Sequence, residues 1–200
     1  MILPCRFIPY RNVKIKYRCE RLKKMLLDKE SFEYHVGEYI LYKTTGICQI
    51  TDIRSEAFKD GEERIYYVLT PINDQLSSVY IPTDSENIAK SIKRVPTVDE
   101  VEKIIIDSLS VSYAYPEDIK EKASLFDKII NSGNRAEILW MAKNLALHKR
   151  ETESKKKKFH VADSRYLSIA EKIITEDFSF VLGIDKSEVI SYIIEKTESK

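Results

Sequence analysis

Apolar and polar residues alternate with period two from Val36 to Lys43 and again from Ile47 to Ile53, on either side of Thr44-Thr45-Gly46. This is the pattern of two half-buried strands joined by a short glycine turn. Lys59-Asp60-Gly61 is a second hairpin signal ahead of the strand Arg64 to Thr70, and Asn73-Asp74 turns the chain into Ser78 to Ile81, which stops at Pro82. Four or five short strands between Phe32 and Thr83 predict a small twisted sheet or partly open barrel. A module of that size has little core of its own, so it is expected to rest on another unit.

Past Pro96 the period changes to that of a helix. Thr97 with Glu100 reads as a capping box, and Val98, Val101, Ile104, Ile105 and Leu109 share one face of the helix that follows. A second helix is expected from near Pro116, with Glu117 and Asp118 in its first turn. It ends at Ser132-Gly133 and carries the stripe Ile119, Ala123, Phe126, Ile129 and Ile130. Asn134 with Glu137 caps a third helix bearing Ile138, Met141, Ala142 and Leu145. The charged stretch His148 to Lys158 reads as a linker to a fourth helix, from about Ala162 to Phe178, and Asp185 with Glu188 caps a fifth. The pattern predicts an α+β chain in three parts: a basic extension over residues 1–31, a β module over 32–95 and a unit of about five helices over 96–200.

Charge changes this picture locally. The formal net charge is +1, yet residues 1–24 carry eight basic side chains against Glu20 alone, leaving residues 25–200 at −6. An acidic body excludes a protein that coats nucleic acid non-specifically, so any such contact is expected to be local. The arm reads as that contact, as a floppy extension, or as sequence ahead of a true start at Met25. Lys143 to Lys158 holds seven basic and two acidic residues, including the run Lys155-Lys156-Lys157-Lys158 together with Lys149 and Arg150. The run is either a phosphate-seeking patch or a solvated loop between helices. The β module offers a second mode of binding, pairing of an edge strand with a strand of a partner.

Enzyme chemistry finds little support in the sequence. It lacks G-x-x-x-x-G-K-[ST], G-x-G-x-x-G and G-x-S-x-G, and His35, His148 and His160 are far apart, so neither catalysis nor a cofactor is expected. Cys5, Cys19 and Cys48 form no CxxC pair and read as free thiols, with no metal site. No apolar run approaches membrane-span length, which makes a cytoplasmic location the expectation.

Several stretches resemble the CarD/CdnL family of bacterial transcription regulators. They are Val36-Gly37-Glu38-Tyr39-Ile40-Leu41-Tyr42, the turn at Gly46, Gly61-Glu62 with Tyr66-Tyr67-Val68-Leu69, and Val79-Tyr80-Ile81-Pro82. In the helical half, Asp127-Lys128-Ile129 leading to Ser132-Gly133, and Asp163, Arg165, Leu167 and Ala170, are similar to that family's second domain. The resemblance implies a Tudor-like first domain, shared with the transcription-repair coupling factor, that binds the RNA polymerase β subunit. It further implies a helical domain that touches promoter DNA at the upstream edge of the melted region and adjusts open-complex stability.

Carried over by position, the resemblance implies polymerase contacts at Glu56, Arg64, Tyr66, Val79, Tyr80 and Ile81, with Glu56 and Tyr80 standing where arginines are expected. It implies DNA contacts at Ile119, in place of a tryptophan wedge, and at Lys122 and Arg165, with Lys149, Arg150 and Lys155 to Lys158 as further phosphate-seeking candidates. Ile119 lies in an apolar stripe and reads equally as core, whereas Trp140 reads as packing beside Met141 and Leu145. Two rival readings stand beside this one: a polymerase-docking protein with little DNA binding, and an RNA- or ribosome-associated protein using Tyr39, Tyr66 and Tyr80 as stacking surfaces. A monomer and a dimer exchanging its β module are both compatible with the sequence.

Overall fold

The computed structural model describes residues 32–58, 61–85, 88–113, 116 and 118–198. The basic arm with Cys5 and Cys19, the turn residues Lys59 and Asp60, and the expected helix residue Glu117 lie outside the described residues. Strands β1 (Tyr39–Tyr42), β2 (Gly46–Ala57), β3 (Glu63–Pro71) and β4 (Val79–Pro82) come first. A short helical turn, Ile88–Ser91, leads into β5 (Ile92–Arg94). The five form one open antiparallel sheet in the order β4-β3-β2-β1-β5. Strand β5 has too short an apolar pattern to be read from sequence. It exists because Ile92, only 1% exposed, packs into the sheet core while its backbone pairs with Tyr42.

One irregularity decides which way β2 points its side chains. Cys48 and Ile50 face the core, and the register then shifts between Ile50 and Asp52. The extra residue of this bulge is Thr51, whose hydroxyl donates to the Val68 carbonyl at 3.2 Å. Beyond it the inward parity changes from even to odd, so Ile53 joins the core while Arg54 and Glu56 turn outward opposite Tyr66 and Arg64. Without the bulge, two charged side chains would share the core face with Cys48. Burial pushes the Cys48 thiol up to about 11, so it stays protonated. Native protein should therefore leave Cys48 unmodified by a thiol reagent that labels it fully in denaturant. Fast native labelling would show that the sheet opens readily.

Helices α1 (Val98–Ser110), α2 (Ile119–Ser132), α3 (Arg135–Ser154), α4 (Val161–Leu182) and α5 (Val189–Glu198) build the second unit. The capping box at Thr97 and Glu100 is present, and Arg94 from β5 also binds Glu100, holding its carboxyl down at about 2. Helix α2 starts after Asp118, whose carboxylate accepts from the Lys120 and Glu121 amides, and Gly133 closes it in the left-handed conformation. Helix α3 continues to Ser154, taking in most of the expected linker His148 to Lys158. Leu145 stays buried on its inner face, and the charged residues after it point outward. Helix α4 runs to Leu182, four residues past the expected end, because Phe178 is core and Gly183 supplies the stop. Phe126, Phe178, Ile138 and Met141 are at most 1% exposed, each contributing about 1.5–3 kcal/mol by burial. Trp140 packs edge-on against Tyr113 at 5.1 Å, in agreement with its reading as a packing residue.

The two units meet at the β1–β2 turn. Asp177 of α4, 3% exposed, accepts from Arg135 Nε at 2.8 Å and Nη2 at 2.6 Å through Oδ2, and from the Ile47 amide at 3.2 Å through Oδ1. Arg135 Nη1 donates to the Lys43 carbonyl at 2.9 Å and to the Gly133 carbonyl at 2.8 Å. One buried ion pair thus ties the turn Lys43 to Ile47 to the start of α3 and the last turns of α4. Tyr39 against Phe180, with ring centres 5.0 Å apart, and Lys186 on Asn73 at 2.7 Å extend the seam. This is how a sheet with a small core gains support.

Candidate functional site

Two surfaces carry the predicted site residues, at opposite kinds of structure. The first is the outward face and free edge of the sheet. Beyond β4 no further strand lies among the described residues, so its outer backbone groups form an edge. The Thr83 amide donates to the Ile65 carbonyl at 2.9 Å, so alternate residues Val79 and Ile81 turn their backbone toward β3 and Tyr80 turns its backbone outward. Pro82 has no amide to offer. The open edge is therefore short and centred on Tyr80.

Side chains on this face form one cluster. Phe58 lies edge-on to Tyr66 and Tyr80, with ring centres 5.1 and 5.3 Å away, and Tyr66 and Tyr80 are 6.4 Å apart. Arg54 stacks over the Tyr80 ring at 5.3 Å, donates to the Tyr80 hydroxyl, and pairs through Nε with Glu56 at 2.9 Å and through Nη1 with Asp52 at 3.7 Å. Arg64 pairs with Glu62 at 2.9 Å. Of the predicted contacts, Glu56, Arg64 and Tyr80 reach this surface. Tyr66 is 7% exposed beneath Phe58, and the Ile81 side chain belongs to the sheet core, so neither presents much side chain to a partner. Val79 packs partly against the same core. Arg54 and Phe58 were not singled out from the sequence. Finding Arg54 needed the bulge, and finding Phe58 needed the fold of the hairpin beyond it.

The second surface is the corner where α2 and α4 begin. Lys122 of α2 pairs with the buried Asp163 of α4 at 3.3 Å, and the Tyr166 hydroxyl donates to Asp127 at 2.9 Å, clamping the first turns of the two helices together. This places Lys122 in an internal ion pair at the corner. Ile119, one turn ahead of it, is 61% exposed, so the alternative of core burial for Ile119 is overturned. The stripe begins to be covered only at Ala123 because the first turn of α2 projects past its neighbours. Val161, two residues before Asp163, is likewise exposed and was missed, since an apolar residue at a helix start reads from sequence as core.

Lys155 to Lys158 form the connection from α3 to α4 and are exposed throughout. Lys155 pairs with Glu151 at 2.6 Å, whereas Lys156, Lys157 and Lys158 make no ion pair among the described residues. They lead directly into Val161, and Arg165 is exposed one turn further on. Arg150 is exposed and Lys149 half-buried on the last turns of α3. The corner thus combines two exposed aliphatic side chains with a basic approach, while the sheet face combines aromatic rings with paired charges.

A five-stranded open sheet with a free edge, pinned to a helical unit with a basic corner, defines a two-part α+β protein. Residues 34–95, from Tyr34 through β5, match the family model of the CarD-like/TRCF RID domain. The match ends ahead of α1 and leaves the helical unit outside it. A comparison with curated proteins finds no match to the chain. No helix among the described residues is long and apolar enough to cross a membrane.

Proposed function

We propose that the chain is a CarD-like bacterial transcription regulator, acting in the cytoplasm without catalytic chemistry of its own. Its Tudor-like β module docks on the β subunit of RNA polymerase, and its helical unit contacts promoter DNA and adjusts open-complex stability. The observation that carries this reading is the RID-domain match over residues 34–95, the domain type through which such proteins interact with RNA polymerase. Backbone pairing at the β4 edge supplies affinity that does not depend on side-chain identity, which suits a face where Glu56 and Tyr80 replace arginines. On the helical unit, Ile119 and Val161 are apolar groups fit to enter an opened minor groove, and Lys156 to Lys158 with Arg165 supply phosphate contacts.

Immobilised full-length chain should retain purified core RNA polymerase, with cross-links from β4 to the β subunit. Absence of retention removes the reading. In the presence of promoter DNA, changing Lys155 to Lys158 to glutamine should weaken binding and flatten the slope of log affinity against log salt by about two to four. The pairing of Lys122 with Asp163 favours one rival, a polymerase-docking protein with little DNA binding. Retention of polymerase together with an unchanged salt slope would select it.

A further inference from the structure

Helix α3 has a second apolar stripe beside the one that enters the core. Ile138, Met141 and Leu145 are fully buried in the helical unit. Leu139, Ala142, Ala146 and Leu147, again three and four residues apart, line a groove of about 600 Å³ between α3 and α5. Its other wall is Ile190, Ile193 and Ile194 of α5, and Leu109 of α1 joins it. Leu139, Ala142 and Ile193 are buried and form the floor. Two alanines one turn apart keep that floor low enough for the ridge of another helix to enter.

The sides of the groove are apolar and open to solvent. Leu109, Leu147, Ile190 and Ile194 are between 42% and 52% exposed, and all four border the one groove. A single exposed aliphatic such as Leu76, in the loop between β3 and β4, is ordinary, whereas four around a groove mark a surface that binds. The charges on the rim say what it binds. Lys143 and Arg150 stand on α3, Glu171 on α4 and Glu198 at the end of α5, and all four are exposed. None of the four side chains makes an ion pair or hydrogen bond among the described residues. Two free cations and two free carboxylates repel a partner of either single sign and match a surface that carries both. The same patch also holds both the groove and the ridges, Leu147 on α3 and Ile190 with Ile194 on α5, that fit a groove of this kind. A surface complementary to itself in shape and in charge is what a twofold interface requires.

We propose that a second copy of this chain occupies the groove, forming a twofold dimer through α3 and α5. The Leu147 and Ile194 ridges of each copy enter the groove of the other, and Lys143 and Arg150 of one copy face Glu171 and Glu198 of the second. Fourteen residues line the groove, against about 20–30 per side in a standard interface, so the dimer is a weak one, dissociating in the micromolar range. Neither the β4 edge nor the corner of α2 and α4 is used, so the dimer does not depend on polymerase being the partner. Arg150 takes a place at this interface instead of on phosphate.

The test is sedimentation equilibrium of the full-length chain alone, from about 1 to 200 μM at about 0.1 M salt. The parent should pass from the mass of one chain to that of two as concentration rises. Leu147→Glu should weaken association roughly tenfold or more, while Leu76→Glu, which removes an exposed leucine elsewhere, should leave it unchanged. The rim is tested by charge exchange. Lys143→Glu with Arg150→Glu makes the rim all acidic, and Glu171→Lys with Glu198→Lys makes it all basic. Each double variant alone should associate about tenfold more weakly than the parent, and an equimolar mixture of the two should recover a two-chain species. All the substituted side chains are exposed, and thermal melts like the parent's check that the variants fold. A parent that keeps the mass of one chain across the range overturns the inference. So does a two-chain mass that survives Leu147→Glu unchanged, which is the result expected if the copies exchange their β modules, and so does a mixture that associates no better than its components.

Discussion

Asp177→Ala is expected to destabilise the protein by about 3–5 kcal/mol, the cost of leaving a buried guanidinium without its counter-ion. For a chain of this length that corresponds to a fall in melting temperature on the order of 10 °C. The reason lies in the seam. Arg135 and Asp177 are each about 5% exposed at the side chain, and the pair also satisfies the Ile47 amide and the Lys43 and Gly133 carbonyls. Burial pushes the Asp177 carboxyl up from its ordinary value, opposed by Arg135 and by the Ile47 amide. From the ordinary value up to the raised one, the folded state holds the proton more tightly than the unfolded chain, so the contribution of Asp177 to stability declines as pH rises through that window. The pair is thus costly to bury and far costlier to break. A double variant, Arg135→Met with Asp177→Leu, should lose much less than Asp177→Ala alone, measured by denaturant unfolding. Equal losses in the two would show that the pair does not act as a unit.

The second large effect is expected at Gly46. Its φ is +88°, and a Cβ built there would lie 2.8 Å from Asp177 Oδ1, the oxygen that receives the Ile47 amide. Alanine at this position adds backbone strain and forces the buried carboxylate to move, together about 2–4 kcal/mol. Gly37 offers the comparison, with a φ of +97° but no atom within 4 Å of the added Cβ, so that Gly37→Ala should cost the strain alone, about 1–2 kcal/mol. Thermal melts of the two variants separate strain from crowding. If Gly46→Ala were no worse than Gly37→Ala, the close fit of the turn on Asp177 would carry no energetic weight.

These two sites mark where the sequence stops being informative. The turn Thr44-Thr45-Gly46 was legible as a turn because period-two strands flank it, but its role as the joint between units was not. Neither Arg135 nor Asp177 was singled out from the sequence. Their pairing spans 42 residues and depends on how two helices cross above the turn. The capping residues Thr97 and Asn134, by contrast, act within three residues of their partners, so the starts of α1 and α3 could be read locally, whereas α2 begins after Asp118 and not near Pro116. The end of α3 could not, because Leu145 anchors a helix whose last turns are polar on every side.

The candidate surfaces divide in the same way. The alternation of Arg64 to Thr70 and of Ser78 to Ile81 identified the strands, yet not that the Ile81 side chain belongs to the sheet core, because parity alone does not say which side is covered. Lys122 had the right charge for a phosphate contact, and only the approach of α4 turned it toward Asp163. The sequence by itself determined the local periods, the caps and turns, and the concentration of lysines between α3 and α4, since each depends on neighbours a few residues apart. Only the tertiary structure decided the face of each strand beyond the bulge, the exposure of Ile119, Val161 and Phe58, and the buried pair that joins the units. Those depend on which surfaces meet, and contacts between residues distant in the chain leave no period in it.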